Sequence, residues 1–390
     1  MGEHDGAAGR AGATSCPTKF CPTNIVSISL ERISLVKRSA QIVVALALLL
    51  VVCQVAVWGD AAPAAAVSSG PFNPAGLMQQ SLDRCTGDRF TFALFGDSYD
   101  REPLIALMKM VDARAPAFVV TLGDMVEQGA KEEGRKQWQV AEERTGWFLR
   151  AHPTWPVIGN HEVDEDFDSG LSNFLGFYGL KDQSYSFTFR NCKFIVLGVD
   201  RDWRPSPPEQ VEFVRRELAD RDRYDHVFVF RHLPFYTVGM KEPDQVPNTP
   251  TEMTKLFEQS RVTATFAGHD HYYYRTRREG VSHIISGGAG AGIYNLVRLA
   301  EQAPGDAYMG VSKAEDQVMC HVPGRVDRST PFKGYYESGD ELLFAVFVHV
   351  NGKDVTAEAV SLSGEVWDSF PLAGEGFGVI GAAKAPPVTE

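Results

Sequence analysis

Five short motifs between residues 95 and 271 put metal-binding side chains just after apolar runs. They read Gly96-Asp97-Ser98-Tyr99, Gly123-Asp124-Met125-Val126-Glu127, Gly159-Asn160-His161-Glu162, Arg231-His232-Leu233-Pro234 and Gly268-His269-Asp270-His271. Carboxylate, amide and imidazole donors gathered together suit a pair of divalent or mixed-valence metal ions. Two such ions about 3.5–4 Å apart clamp the attacking and leaving oxygens of a displacement at phosphorus. The elements that must position these residues are legible in the apolar runs. Phe90 to Phe95, Ala117 to Leu122 and His226 to Phe230 read as strands, and Trp155 to Ile158 and Val262 to Ala267 fit two more. All five motifs then fall at carboxyl ends of strands, where open α/β sheets carry their sites.

Any one of these motifs is weak, because a lone Asp after a strand is more often a turn or cap residue. Five in order are specific. The set resembles the calcineurin-like metallophosphoesterases, whose signature is Gly-Asp-x-His, Gly-Asp-x-x-Asp/Asn, Gly-Asn-His-Glu/Asp, a single His and Gly-His-x-His. The resemblance spans roughly Phe90 to Gly290 and includes the hairpin pattern of Ser184 to Phe187 and Asn191 to Leu197. It implies a four-layer αββα sandwich, two mostly β layers flanked by helices. It also implies two metal ions (iron, manganese or zinc) and a phosphate ester as substrate. Residues Gly268 to Thr276 resemble the last motif of the purple acid phosphatase branch, which favours phosphomonoesters over diesters without deciding between them.

Carried onto this chain, the resemblance makes Asp124 the bridging carboxylate. Asp97 and His271 hold the first metal, and Asn160, His232 and His269 hold the second. Hydroxide shared by the metals is the nucleophile. His161 is the general acid for the leaving group, with Glu162 orienting its imidazole. Tyr99 departs from the family, which has histidine there. The purple branch also lacks that histidine, but its tyrosine ligand comes three residues after the second-motif Asp, where this chain has Glu127. Tyr99 could ligate from a new direction, Glu127 could substitute, or water could fill the gap. The expectation is a neutral Tyr99 beside the metals and a weaker, mostly divalent first site, since a phenol has a pKa near 10. Arg101 and Arg231 could contact phosphate oxygens, although a surface ion pair is the commoner role. Tyr272, Tyr273 and Tyr274 could line a substrate groove or, by alternation, enter the core.

The 390 residues carry a formal charge of −12, which argues against a nucleic-acid partner. A hydrophobic share of 44% suffices for a substantial core. Residues 1–41 are an irregular leader. Residues 42–58 form an almost unbroken apolar run after Lys37 and Arg38, and small residues follow it. This is either the core of an export signal or an uncleaved membrane anchor near the lower limit of about 17–25 residues for a span. Export across a membrane follows from both, the protein being secreted, periplasmic or anchored. Residues 59–81 read as a linker, 82–372 as the metallophosphoesterase domain, and 373–390 as a loose tail. Cys85, Cys192 and Cys320 allow at most one disulfide, and Cys192 reads as a core residue.

Helical patterns cover Pro103 to Asp112, Lys131 to Ala151 and Pro250 to Gln259, and Val211, Val214 and Leu218 mark one helix face. The run Gly287 to Gly292 precedes no helix and reads as a turn beside the site. Residues 300–338 are polar and read as an irregular lid or insertion. Glu341 to Val350, Val355 to Ser361 and Val366 to Phe370 read as a closing meander. The function expected is metal-dependent hydrolysis of a phosphate ester. The rival is a degenerate, membrane-associated binding protein on the same fold, for which the altered first motif is the one argument.

Overall fold

The computed structural model describes residues 72, 74–99, 101–239, 246–292, 294–299, 302–312, 317–324, 328–331 and 342–374. In chain order the elements begin with α1 (Pro74–Arg84), β1 (Arg89–Phe95), α2 (Glu102–Ala113), β2 (Phe118–Thr121), α3 (Lys131–Ala151) and β3 (Thr154–Pro156). Next come α4 (Phe167–Tyr178), β4 (Tyr185–Phe189), β5 (Cys192–Val196), α5 (Pro208–Glu217), β6 (His226–Phe230) and α6 (Glu252–Gln259). Strands then follow one another: β7 (Ala264–Ala267), β8 (Tyr273–Arg278), β9 (Val281–Ser286), β10 (Ala307–Ser312), β11 (Gln317–His321) and β12 (Arg328–Pro331). The last three are β13 (Phe344–Asn351), β14 (Asp354–Ser361) and β15 (Val366–Pro371).

These strands form two sheets, ordered β15-β14-β13-β1-β2-β3 and β12-β11-β10-β8-β9-β7-β6-β5-β4. Within the first, β1, β2 and β3 run parallel. Within the second, β5, β6, β7 and β9 run parallel. The inner faces interlock through phenylalanines. Phe92 of β1 stacks on Phe118 of β2 at 5.2 Å, and Phe118 meets Phe194 of β5 edge-on at 5.1 Å. Such pairs add about 0.5–1.5 kcal/mol each beyond the burial of their area. The outer faces are covered by helices. Leu104, Leu107, Trp138 and Phe174 of α2, α3 and α4 pack on Ala93, Phe95 and Val119, while Val211, Val214, Met253 and Phe257 of α5 and α6 pack on Ile195, Val227 and Val229. Helix, sheet, sheet, helix is the four-layer order expected, and parallel strands buried on both faces explain the continuous apolar runs.

Three elements differ from the sequence reading. Helix α1 lies where a linker was expected. Met78 and Ser81 are buried, and the Arg190 guanidinium donates to the Leu82 and Cys85 carbonyls at the helix end. Helix α4 was not anticipated, although its signals are local. The Asp166 side chain accepts from the Ser169 amide at its start, and Gly179 closes it at φ 67°. The segment read as an irregular lid holds β10, β11 and β12, which extend the second sheet beyond β8. Edge strands with one solvated face read as polar loops in sequence.

The closing meander is present, antiparallel and joined to β1. Among the described residues Cys85, Cys192 and Cys320 form no disulfide, and Cys192 is fully buried. Residues 1–41 and 42–58, and all but the first two residues of 373–390, lie outside the described residues. Among the described residues no helix is long and apolar enough to cross a membrane.

A buried ion pair joins the two sheets. Arg275 of β8 donates through Nε to Asp368 of β15 at 2.5 Å, and the Tyr273 hydroxyl donates to the same carboxylate at 2.8 Å. Both charged side chains are fully buried. Removing one partner leaves the other charge uncompensated, which typically costs about 3–5 kcal/mol. Asp368→Ala should therefore destabilise by about that much in urea unfolding. A loss below about 1 kcal/mol would show that Arg275 finds compensation elsewhere.

Candidate metal centre

The two sheets open toward one edge, and there the loops after β1, β2, β3, β6 and β7 meet. Three of the candidate ligands hold left-handed backbone: Asp97 at φ 63°, Asp124 at φ 54° and His269 at φ 68°. Tyr99 does too, at φ 51°. The conformation costs an ordinary residue roughly 1–2 kcal/mol, so something must fix it. Ser98 and Tyr99 amides both donate to the Asp124 carbonyl, and the Asp97 amide donates to the Gly123 carbonyl. The His269 amide donates to both oxygens of Asp97, at 2.8 and 2.9 Å, and so ties one sheet to the other.

The glycine before each ligand has a steric reason. A Cβ on Gly123 would sit 2.5 Å from His232 Nδ1, one on Gly159 2.1 Å from Asp124 Oδ1, and one on Gly268 2.4 Å from Asp97 Oδ2. Three of the four motif glycines therefore make room for a candidate ligand belonging to another motif, while Gly96 lies against Leu122. The glycine stretch 287–292 works similarly, since a Cβ on Gly287 would meet the Asp270 carbonyl at 2.3 Å. Ala291 also donates its amide to the Asp97 carbonyl. It is a wall of the cleft.

Six expected ligands converge. Asp97, Asp124 and His271 bring donor atoms within 4.8 Å of one another. Around Asp124 on its other side, His232 Nε2 lies 3.4 Å from Asp124 Oδ2 and 3.0 Å from Asn160 Oδ1. His269 Nδ1 lies 2.9 Å from Asn160 Oδ1 and 3.2 Å from His232 Nε2. Metal–ligand bonds of about 2.0–2.2 Å place neighbouring donors about 3.0 Å apart in an octahedron and about 3.4 Å apart in a tetrahedron. The observed separations match those edges, so the donor set fits a transition-metal ion. Backbone carbonyls orient the rings: His232 Nδ1 donates to Leu122 at 2.8 Å, and His271 Nδ1 donates to Gly292. Their Nε2 atoms are thereby left facing the cleft.

Burial shapes the charges. It lifts the Asp97 carboxyl above its ordinary range, against the opposing pull of His271 and His232. At Asp124 burial acts the same way but is outweighed by His232 and His161, which hold the carboxyl low. Burial disfavours a charged His232, yet the Asp124 carboxylate beside it lifts the imidazole to about 9. A metal at this position therefore has to displace a proton. Burial, reinforced by Asp124 and Asp97, pushes the Tyr99 phenol far above its ordinary value.

Several expected roles are corrected. Glu162 does not orient His161. Its buried carboxylate accepts the amides of Asp124, Met125, Val126 and Gly159, at 2.9, 2.8, 3.3 and 2.7 Å. His161 is oriented instead through Nδ1, which donates to the Glu127 carbonyl at 2.8 Å. The Glu127 side chain is exposed and pairs with Arg101 at 3.7 Å, and it is not among the converging donors Asp97, Asp124 and His271. Tyr272 is 2% exposed, and its hydroxyl donates to Asp270 at 2.6 Å. It belongs to the core with Tyr273 and Tyr274, not to a substrate surface. Arg231 is buried too, donating to the Leu233 and Pro205 carbonyls over the Phe235 ring. Arg101 remains at the rim, its guanidinium 5.1 Å from the centre of the Tyr99 ring.

Tyr99 reaches the cleft. Its hydroxyl lies 3.0 Å from His161 Nε2 and 3.4 Å from His271 Nε2. Tyr294, which no motif signals, stacks on His271 at 3.9 Å between ring centres and hydrogen-bonds Tyr99.

A model of the family described as calcineurin-like phosphoesterase matches residues 90–273. Probable inactive purple acid phosphatase 27 of Arabidopsis thaliana is 27% identical over 186 residues, covering 36% of this chain and 29% of that protein. Purple acid phosphatase 18 of Arabidopsis thaliana is 24% identical over 200 residues, covering 48% of this chain and 45% of that protein. The chain thus spans less than half the length of either curated relative. Two solved structures share the fold. Purple acid phosphatase PPD1 from yellow lupin (Lupinus luteus) seeds has a TM-score of 0.52 at 16% identity, covering 77% of this chain and 58% of that one. GAP50, the anchor in the inner membrane complex of Plasmodium, has a TM-score of 0.51 at 15% identity, covering 73% of this chain and 89% of that one.

The glycine geometry gives a direct test. Gly159→Ala should abolish tight metal binding, because its methyl would occupy the place of Asp124 Oδ1. Gly176→Ala, on α4 with nothing within 4 Å, should leave binding unchanged. Metal content after dialysis measures both, and full metal content in Gly159→Ala would contradict the packing described.

Proposed function

From the match of residues 90–273 to the calcineurin-like phosphoesterase family, we propose that the chain hydrolyses phosphate esters with two metal ions held between its sheets. The observation that carries this reading is the convergence of Asp97, Asp124, Asn160, His232, His269 and His271 from five strand ends on one cleft. Asp124 stands between the two donor groups and would serve both ions. The ions, whether iron, manganese or zinc, would generate hydroxide from water at neutral pH and offset the charge building on the phosphoryl oxygens.

The chain's own residues supply the rest. His161 is partly exposed at the cleft, with Nε2 4.0 Å from Asp124 Oδ2. Its Nδ1 is committed to the Glu127 carbonyl, so Nε2 is the atom that delivers a proton to the departing oxygen. Tyr99 holds that nitrogen by a hydrogen bond. Arg101 at the rim is placed to meet a non-bridging phosphate oxygen or the group beyond it. Phosphomonoesters are the substrate class we favour, on the similarity of Gly268 to Thr276 to the purple acid phosphatases. Export through residues 42–58 belongs to the same proposal.

A second reading, a binding protein that keeps the fold without turnover, draws on Tyr99 in the first motif and on the relative named probable inactive. Hydrolysis of p-nitrophenyl phosphate by purified protein with added manganese separates the two: turnover supports the enzyme, and its absence under all metal conditions supports the binder.

For the acid role, His161→Ala should retain metal and lose about 10²–10⁴-fold in kcat on alkyl phosphates. The loss on p-nitrophenyl phosphate should be smaller, since that leaving group departs without a proton. Equal losses on both would remove His161 from the role.

A further inference from the structure

The last motif serves both donor groups from one short stretch of backbone. His269 joins Asn160 and His232, whereas His271 joins Asp97 and Asp124. Only Asp270 separates them. The backbone divides the two rings by turning twice. The Asp270 amide donates to the Gly268 carbonyl and the Tyr272 amide to the Asp270 carbonyl, each at 2.8 Å. Bonds of that span close γ-turns, here centred on His269 and His271. His269, at φ 68°, stands in the positive-φ form, the rarer and strained one. A strained turn persists only where its surroundings over-determine it.

The Asp270 side chain supplies that constraint. It is fully buried, and its Oδ2 accepts the hydroxyls of Tyr272, at 2.6 Å, and of Thr237. Thr237 belongs to the loop after β6, the loop that begins with Arg231 and His232. Its hydroxyl also accepts the Gly239 amide at 3.0 Å, and its own amide donates to Asn248 Oδ1 at 2.8 Å. The fit is close, since a Cβ on Gly239 would meet the Tyr272 hydroxyl at 2.5 Å. A buried carboxylate left without its donors is costly, so the two hydroxyls and the carboxylate hold one another in place. The loop with His232 and the turn with His269 and His271 are thereby locked together through groups other than the candidate ligands.

We propose that Asp270 is a positioning residue: clamped by Thr237 and Tyr272, it holds the double turn that sends His269 to one donor group and His271 to the other, in register with His232. This rests on the reading of the three histidines as metal ligands. It adds Thr237, which no motif signals, to the residues on which that reading depends. A buried hydrogen bond that only supports the fold would lower stability and leave metal affinity alone. Tyr273 provides the comparison, because its hydroxyl donates at 2.8 Å to Asp368 of β15, which belongs to neither donor group.

The test uses the full chain stripped of metal and titrated with cobalt(II). Equilibrium dialysis gives affinity, the visible absorption of the bound ion reports its coordination, and urea unfolding of the metal-free protein gives stability. Asp270→Ala and Thr237→Val should each weaken cobalt binding by about 10–100-fold and alter the absorption. Thr237→Ser, which returns the hydroxyl, should restore both. Tyr273→Phe should lower stability and leave affinity and absorption as in the wild-type protein. Circular dichroism shows which variants fold. Tyr272→Phe, which removes the second hydroxyl, should weaken binding in the same direction and carries the test if Thr237→Val does not fold. Unchanged affinity in folded Thr237→Val or Tyr272→Phe, failure of Thr237→Ser to restore it, or an equal loss in Tyr273→Phe would overturn the proposal. Wild-type protein that binds no cobalt would overturn the reading of the histidines as ligands, and the proposal with it.

Discussion

A single buried carboxylate organises the cleft without touching its chemistry. Glu162 accepts four backbone amides from the loops after β2 and β3. Those loops carry Asp124, Asn160 and His161, so their relative positions depend on one side chain. Amides left unmet in so buried a place would cost about 1–3 kcal/mol each. Burial and the nearby Asp124 charge push the Glu162 carboxyl up to about 7, while the amides pull the other way. The clamp therefore holds best when Glu162 is ionised, and positive charge brought into the cleft would favour that form.

Much of this was legible in the sequence because the chemistry demands particular residue types. Carboxylates and imidazoles after apolar runs announced the strand ends and the side chains that converge there, and Phe90 to Phe95 and His226 to Phe230 became β1 and β6 nearly as read. The four-layer order followed from the resemblance. What stayed hidden had no compositional mark. Glu162 was assigned to its sequence neighbour His161, because a bond from a side chain to distant amides leaves no pattern. Tyr294 lies after a glycine run and acts only through the folding of that run against His271. The strands β10 to β12 were obscured by polar residues, and Tyr272 by a position next to a ligand that suggests exposure.

Tyr99 shows how far a local departure can travel. Its phenol cannot be described as a missing ligand alone, since it contacts His161, His271 and the Tyr294 phenol. Replacing one imidazole by a longer neutral donor couples the proton-delivery side of the cleft to the metal side. The same residue thus touches both sides of the cleft at once.

The crossing of glycines and ligands has an evolutionary consequence. Gly123 faces His232, Gly159 faces Asp124 and Gly268 faces Asp97, each pair drawn from different motifs. A side chain added at any of these glycines is felt first at a residue far away in sequence. Contacting substitutions of this kind do not combine additively. The lineage of such a site is therefore constrained in pairs: drift at one motif closes paths at another, and a change of ligand at Asp97 or Asp124 is the event that would release Gly268 or Gly159 to vary.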